Sequence, residues 1–383
     1  MINSFNAKPL NEDNIETFYV NTTEARDCNP SAKLKLLFRN NPTDNRKILF
    51  VGHTGSGKST ELNRVALSLE SDYIVSQFSI DSFVDYASIS YIDVLFVILE
   101  ELLQTVKLYN YDVDESTLED IVNYWNDECK ITSSTETETK ISTSAEGKLA
   151  FLNMLSVKIN SFLQAGCKSR DEIKRTIEPS IPQLVKYMNN LIHDVKRVVG
   201  DKKLLMIIDN LDKLDLKATK ELFVDHSKMI TSLDMNIIYT FPIFMFYSRD
   251  FMHISPYFDD CFLLSMVKVK KPTGEPNKIG EDVLKEIVGK RADLSLFEKN
   301  VLNFAIEKSG GCIRTLMNFI RGAALDAEAR SEDSANKVEK ISIDDIKHVY
   351  STYRSSMERL IRKEHLASLK EKIFGKNKES NTK

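Results

Sequence analysis

Lys47-Ile48-Leu49-Phe50-Val51-Gly52-His53-Thr54-Gly55-Ser56-Gly57-Lys58-Ser59-Thr60 decides the fold of this chain. The first five residues are the apolar run of a buried strand. Gly52, Gly55 and Gly57 follow within six positions, and then Leu62, Val65, Ala66 and Leu69 recur at helical spacing. The segment therefore reads strand, glycine-rich loop, helix. Glycine accepts backbone angles that other residues resist and puts no side chain in the way. Such a loop turns its N–H groups inward, and the helix behind it adds its positive end. That arrangement suits a polyphosphate. Gly52–Ser59 fits G-x-x-x-x-G-K-[ST], with Lys58 placed to reach the β and γ phosphates and the Ser59 hydroxyl to ligate Mg²⁺. The expected ligands are ATP and Mg²⁺.

Tyr73–Ile80, Leu204–Ile208, Met235–Thr240 and Phe262–Val269 read as further strands separated by helical patterns, which predicts an α/β fold with a parallel sheet. Leu204–Ile208 ends in Asp209. An acid at the tip of the strand beside the loop's own strand would hold Mg²⁺ through water. Asn210 follows, where many brisk hydrolases place a second acid; Asn can hold a water but cannot take its proton. Asp212 could stand in, or could be a turn residue paired with Lys213. Thr240 ends its strand, either to contact the γ-phosphate or attacking water, or as a plain helix start before Pro242. Ser309-Gly310-Gly311-Cys312-Ile313-Arg314 puts Arg314 at the entry of a helix, either folded over phosphates or on a solvated face.

The 383 residues, 42% hydrophobic and 28% charged, suffice for a core of several domains. A net charge of −4 gives no global reason for a nucleic-acid or membrane surface. The five cysteines, Cys28, Cys129, Cys167, Cys261 and Cys312, form no C-x-x-C pair. They read as idle thiols of a reducing compartment. No apolar run is long enough to span a membrane, and the N-terminus is polar from Asn3, so a cytoplasmic protein is expected. Residues 111–199 read as a helical insertion, with a poorly apolar loop at Thr132–Glu146. From Ile279 the pattern is helical, at 279–291, 296–308, 311–329 and 343–372. The implied parts are a leader at 1–45, an ATPase core at 46–110 and 200–270, the insertion, a helical lid at 279–345, and a helix and tail at 346–383.

Together these residues resemble the AAA+ ATPases, in the branch near the origin-recognition ATPases and the STAND signalling ATPases. The resemblance rests on Gly52–Thr60, on Ile207-Ile208-Asp209-Asn210-Leu211-Asp212-Lys213, on Thr240-Phe241-Pro242 and on Ser309–Leu316. Phe18-Tyr19-Val20 and Glu24-Ala25-Arg26 look like that family's leader, which lies against the adenine. The family implies a P-loop sheet core with a helical lid, and an oligomeric ATP-driven switch, in bacteria often within defence or signalling modules. It also implies an arginine acting across subunits, for which Arg249 is the only Lys or Arg within Phe241–Phe262. Three features depart from the family. Asn210 replaces its usual acid, which implies slow hydrolysis. Lys58 and Asp209 stand 151 positions apart, because of the insertion. The residues from 330 onward are too few for a winged-helix DNA reader. The insertion is a candidate surface for a protein partner, and nucleic acid is a possible ligand. A non-hydrolysing nucleotide-binding scaffold is the main alternative, and a P-loop kinase a weaker one.

Overall fold

The computed structural model describes residues 2–40, 45–128, 145–333, 340–361, 365, 366 and 370. Cys129 and the Thr132–Glu146 segment therefore lie wholly or mostly outside the described residues. The chain forms two compact units.

One unit comprises Ser31–Val51 and Val65–Leu263. It holds a five-stranded sheet: β1 (Lys47–Gly52), β2 (Tyr73–Ser79), β3 (Lys203–Asp209), β4 (Asn236–Phe241) and β5 (Asp260–Leu264), in the order β2-β3-β4-β1-β5. The pairs β1–β4, β2–β3 and β3–β4 are parallel. All residues of β1 and β4 are buried, as continuous apolar runs in a sheet covered on both faces must be. Here one expectation is corrected. The strand ending in Asp209 is not beside β1; β4 lies between them, so the strand carrying Thr240 neighbours both. The last strand is also shorter than Phe262–Val269. After Leu264 the chain leaves the sheet, and Ser265 and Lys268 bond instead to the backbone of Arg26 and Ala25.

Two buried polar residues in this sheet are accounted for. The Asn236 side chain accepts from the Arg46 amide at 3.0 Å and donates to the Leu204 carbonyl at 2.9 Å, linking three chain segments. The Lys47 ammonium donates to the carbonyls of Asn45, at 2.6 Å, and Met235, at 2.9 Å. Its burial depresses the pKa to about 8.

The helix Tyr91–Tyr109 starts with a Ser90/Asp93 capping box and is buried along most of its length. The inserted helices Glu115–Glu128, Ala145–Leu163, Cys167–Ile177 and Ile181–Val199 surround it. Phe96, Trp125 and Phe162 meet edge-on or tilted, and one apolar core runs from these rings to the sheet. The helix Cys167–Ile177 has little apolar periodicity, because two of its inward positions are charged. Lys174 lies 2.5 Å from the fully buried Asp93 carboxylate, and Arg170 donates to the Leu163 carbonyl at 2.9 Å. A buried carboxylate needs such partners, and loss of one would leave an uncompensated charge.

The other unit comprises Met1–Pro30, Gly52–Arg64 and Leu264–Lys383. Its helices Lys278–Gly289, Val301–Ser309, Ile313–Asp333 and Ile343–Leu360 pack around Leu284, Val288, Leu316, Phe319 and Ile320. Phe5, Val20 and Ala25 of the leader are buried in this same core. The glycine-rich loop therefore belongs to a compact body with both the leader and the C-terminal helices.

Candidate functional site

The loop after β1 has the backbone its glycines imply. Gly55 and Gly57 take φ of +82° and +99°, and the helix Lys58–Leu69 begins directly behind them. Each carbonyl from Gly52 to Ser56 faces a protein group. Lys58 Nζ donates to Gly52 O at 2.8 Å and His53 O at 3.0 Å. The Cys312 thiol lies 3.9 Å from Thr54 O and 3.7 Å from Gly55 O, and the Arg314 amide donates to Gly55 O at 3.3 Å. Arg26 Nη2 donates to Ser56 O at 2.7 Å. Burial, with help from Lys58, lowers the His53 pKa, which favours the neutral ring.

Gly311 shows why the segment before Arg314 must bend so sharply. Its φ is +83°, and a Cβ there would lie 1.8 Å from the Val267 carbonyl oxygen. A Cβ on Gly55 would meet Cys312 Sγ at 2.8 Å and Arg314 Cβ at 2.9 Å. The Gly55 loop and the Cys312–Arg314 segment thus approach too closely for a side chain at Gly55.

The leader grips the first turns of the loop's helix. The Leu10 amide donates to Thr60 Oγ1 at 3.1 Å, and Asn63 returns a bond to the Leu10 carbonyl at 2.5 Å. Tyr19 donates to Glu61 at 3.0 Å, while the Arg64 guanidinium lies 3.7 Å from the Tyr19 ring centre. Burial, reinforced by Glu61, raises the Tyr19 pKa, so its hydroxyl stays a donor. Arg291 lies 5.2 Å over the Phe18 ring. Of these contacts only Phe18, Tyr19 and Thr60 stood out in the sequence; Glu61 and Arg64 carried no signal.

In the sheet unit, Asp209 is buried at the tip of β3. Asn210 takes a left-handed φ of +67°, which Asn tolerates better than most residues. Its amide nitrogen donates to Ser79 Oγ and, at 3.1 Å, to Asp81 Oδ1. Asp81 was not anticipated. Its own burial opposes ionisation, but the Ser79 and Asn210 hydrogen bonds and the Lys213 charge outweigh that and hold its pKa at about 2. Lys213 pairs with Asp81 at 3.6 Å. Thr240 is fully buried; its hydroxyl accepts from the Leu211 amide at 3.0 Å and donates to the Ile208 carbonyl at 3.2 Å. It therefore brackets Asp209 and Asn210 on both sides. Pro242 stands just before the short helix Ile243–Phe246. Arg249 is exposed, and the neighbouring Asp250 pairs with Lys220 at 2.7 Å.

The loop fits a polyphosphate: its carbonyls are engaged by protein donors while its glycines hold the required backbone and a helix begins at Lys58. In the sheet unit, Asp209 stands as a carboxylate at a strand tip. Among the described residues no cluster of three His, Cys, Asp or Glu is assembled for a metal. No described helix is long and apolar enough to cross a membrane.

The fold and loop together define a P-loop α/β architecture with a helical C-terminal part, which is the architecture the AAA+ resemblance implies. No family model matches the chain, and no curated protein matches it. Among solved structures it is similar to the Aeropyrum pernix ORC1 protein, determined in complex with DNA, at 11% identity and a TM-score of 0.41, over 89% of this chain and 67% of that one. It is also similar to the Aeropyrum pernix ORC2 protein, determined in ADPNP–ADP complexes, at 13% identity and a TM-score of 0.38, over 84% of this chain and 66% of that one.

Proposed function

We propose that the chain binds ATP with Mg²⁺ through Gly52–Thr60 and hydrolyses it slowly, as an oligomeric AAA+/STAND-like switch acting on a partner. One observation carries this reading. The carbonyls of Gly52–Ser56 all face donors of the protein itself, the Ser56 amide among them on His53 O at 3.1 Å, an arrangement that leaves the inner side of the loop to an anion. In this reading Lys58 neutralises the β and γ phosphates, and Ser59 and Asp209 hold the metal. Arg314 adds a cation from the C-terminal helices, and Thr240 keeps the Asp209 turn in shape. Asp212 orients water, and Arg249 serves a neighbouring subunit. The metal would supply charge neutralisation and a template for the phosphates.

Lys58→Ala tests the reading. An ammonium among phosphate oxygens has no apolar substitute. The variant should lose most ATP affinity by calorimetry while keeping the wild-type melting temperature within a few degrees. Unchanged affinity in a folded variant would remove the P-loop assignment.

A second reading, a scaffold that binds nucleotide without hydrolysing it, draws support from Asn210. Its amide is committed to Ser79 and Asp81, and it is no base. Phosphate release measured on wild type and on Asp209→Ala separates the two. A cytoplasmic setting, a defence or signalling role, a protein partner on the helices Glu115–Val199, and a nucleic-acid ligand all belong to this proposal. Pull-down with the 111–199 surface altered, and titration with duplex DNA, test the last two.

A further inference from the structure

Among the described residues, the most buried cation of the loop-bearing unit is not in the loop. Arg26, at the end of the short leader helix Thr23–Arg26, is 3% exposed. Its guanidinium reaches three separate acceptors. Nε donates to Thr22 Oγ1 at 2.6 Å, Nη1 to the Ser265 carbonyl, and Nη2 to the Ser56 carbonyl at 2.7 Å. Thr22 is itself buried. The Ser265 hydroxyl returns a bond to the Arg26 carbonyl at 2.9 Å, so leader and β5 exit are tied twice. Arg26 also lies against the third loop glycine: a Cβ on Gly57 would stand 3.6 Å from Nη2.

A peptide unit has one orientation. If the Ser56 carbonyl points to Arg26, the N–H of the same peptide, that of Gly57, points the opposite way. A buried cation that fixes the carbonyl therefore fixes the N–H as well. We propose that Arg26 is a positioning residue of the phosphate site, which locks the Ser56–Gly57 peptide with its N–H directed at the polyphosphate and joins that peptide to the leader and to Ser265. The inference rests on the ATP-binding reading above. It assigns the leader a part in phosphate recognition, beyond any contact with the base. Only a planar fork can serve three divergent acceptors; a lysine ammonium is a point donor.

The test compares ATP and AMP affinities by calorimetry for wild type, Arg26→Met, Arg26→Lys and Thr22→Val, with circular dichroism melts to set a temperature at which each is folded. AMP lacks the β and γ phosphates, so it reports general damage. Both Arg26 variants should bind ATP about 10–100-fold more weakly, as expected for loss of one charged hydrogen bond at the loop. Their AMP affinity should be unchanged. Thr22→Val, which removes one brace of the guanidinium, should shift ATP affinity in the same direction by a smaller factor, and it decides the matter if the Arg26 variants do not fold. Wild-type ATP affinity in Arg26→Lys would show that charge rather than peptide orientation matters, and would overturn the proposal. So would equal losses for ATP and AMP, or an unchanged Thr22→Val where the Arg26 variants do not fold. A wild type that binds no ATP would instead overturn the P-loop reading itself.

Discussion

The backbone amide of Arg314 donates to the carbonyl of Gly55 across 3.3 Å, joining the first turn of a C-terminal helix to the glycine-rich loop. The contact exists only because Gly310 and Gly311, both at positive φ, turn the chain back on itself ahead of that helix. A bond between two backbones cannot be tuned by side-chain chemistry. It makes the shape of the loop and the approach of Arg314 parts of one packing arrangement.

The two glycines differ in a way that predicts different costs. An added Cβ at Gly310 meets nothing within 4 Å, so Gly310→Ala carries only the left-handed penalty of about 1–2 kcal/mol. At Gly311 the same atom would lie 1.8 Å from the Val267 carbonyl, and the backbone must move. Gly311→Ala should destabilise by about 3 kcal/mol or more and weaken ATP binding through the displaced Arg314. Urea melts and calorimetry on the pair check this. Equal effects of the two substitutions would mean that the close approach to Val267 is not what fixes Gly311.

Asn210 yields a prediction that the sequence alone leaves open. Asn210→Glu would raise hydrolysis if the missing acid limits it, and would gain little if Asp212 already activates the water. In the structure the Asn210 amide donates to Asp81, whose pKa is held at about 2 partly by that bond. A carboxylate in its place removes a donor and sets two negative charges together. Asn210→Glu alone should not accelerate phosphate release and should lower stability by about 1 kcal/mol. Asn210→Glu combined with Asp81→Asn restores a carboxylate–amide pair with the partners exchanged, and should recover stability and turn over faster than the single variant. A single variant that hydrolyses briskly would show that Asp81 does not govern this position.

How far the sequence reached follows from where each residue's partners lie. The loop was legible because its requirements are local: three glycines, a lysine and a hydroxyl between a strand and a helix. Asp209 was legible as an acid ending an apolar run. Its strand's true neighbour was not, since nothing in β3 records that β4 lies between it and β1. Thr240 could be placed at a strand end, but its partners, Ile208 and Leu211, are set by the β3–β4 pairing. Arg26 meets Ser56 and Ser265 across 30 and 239 positions, and Asp81 meets Asn210 across 129. The helix Cys167–Ile177 escaped notice because Arg170 and Lys174 occupy inward positions that a periodicity reading expects to be apolar.

Lys47 gives a pH dependence with a definite sign. Burial lowers its folded pKa from 10.5 to about 8, so the unfolded chain holds this proton more tightly than the folded one. Stability must then rise with pH between the two values, and below about pH 8 the cost of burying the charge is present in full. From pH 7.5 to 10 the wild type should gain about 2–3 kcal/mol relative to Lys47→Met, which has no such proton. Urea denaturation of both proteins across that range checks it. Parallel profiles would mean that Lys47 is not the group responsible.

Thr240 separates support of the turn from contact with nucleotide. Its hydroxyl accepts from the Leu211 amide and donates to the Ile208 carbonyl, so one atom holds the chain on both sides of Asp209-Asn210. Thr240→Val keeps shape and removes the acceptor, leaving a buried N–H without a partner at a cost of about 1–3 kcal/mol. Thr240→Ser keeps the hydroxyl and loses one methyl, a cost of about 1 kcal/mol. If Thr240 acts by shaping the Asp209 turn, Thr240→Val should weaken Mg²⁺-dependent ATP binding and slow phosphate release, while ATP affinity measured in EDTA stays near wild type. Thr240→Ser should behave as wild type in both. A hydroxyl that touched the γ-phosphate itself would show its loss in EDTA as well, and ADP, which lacks that phosphate, would bind equally to all three proteins with or without metal.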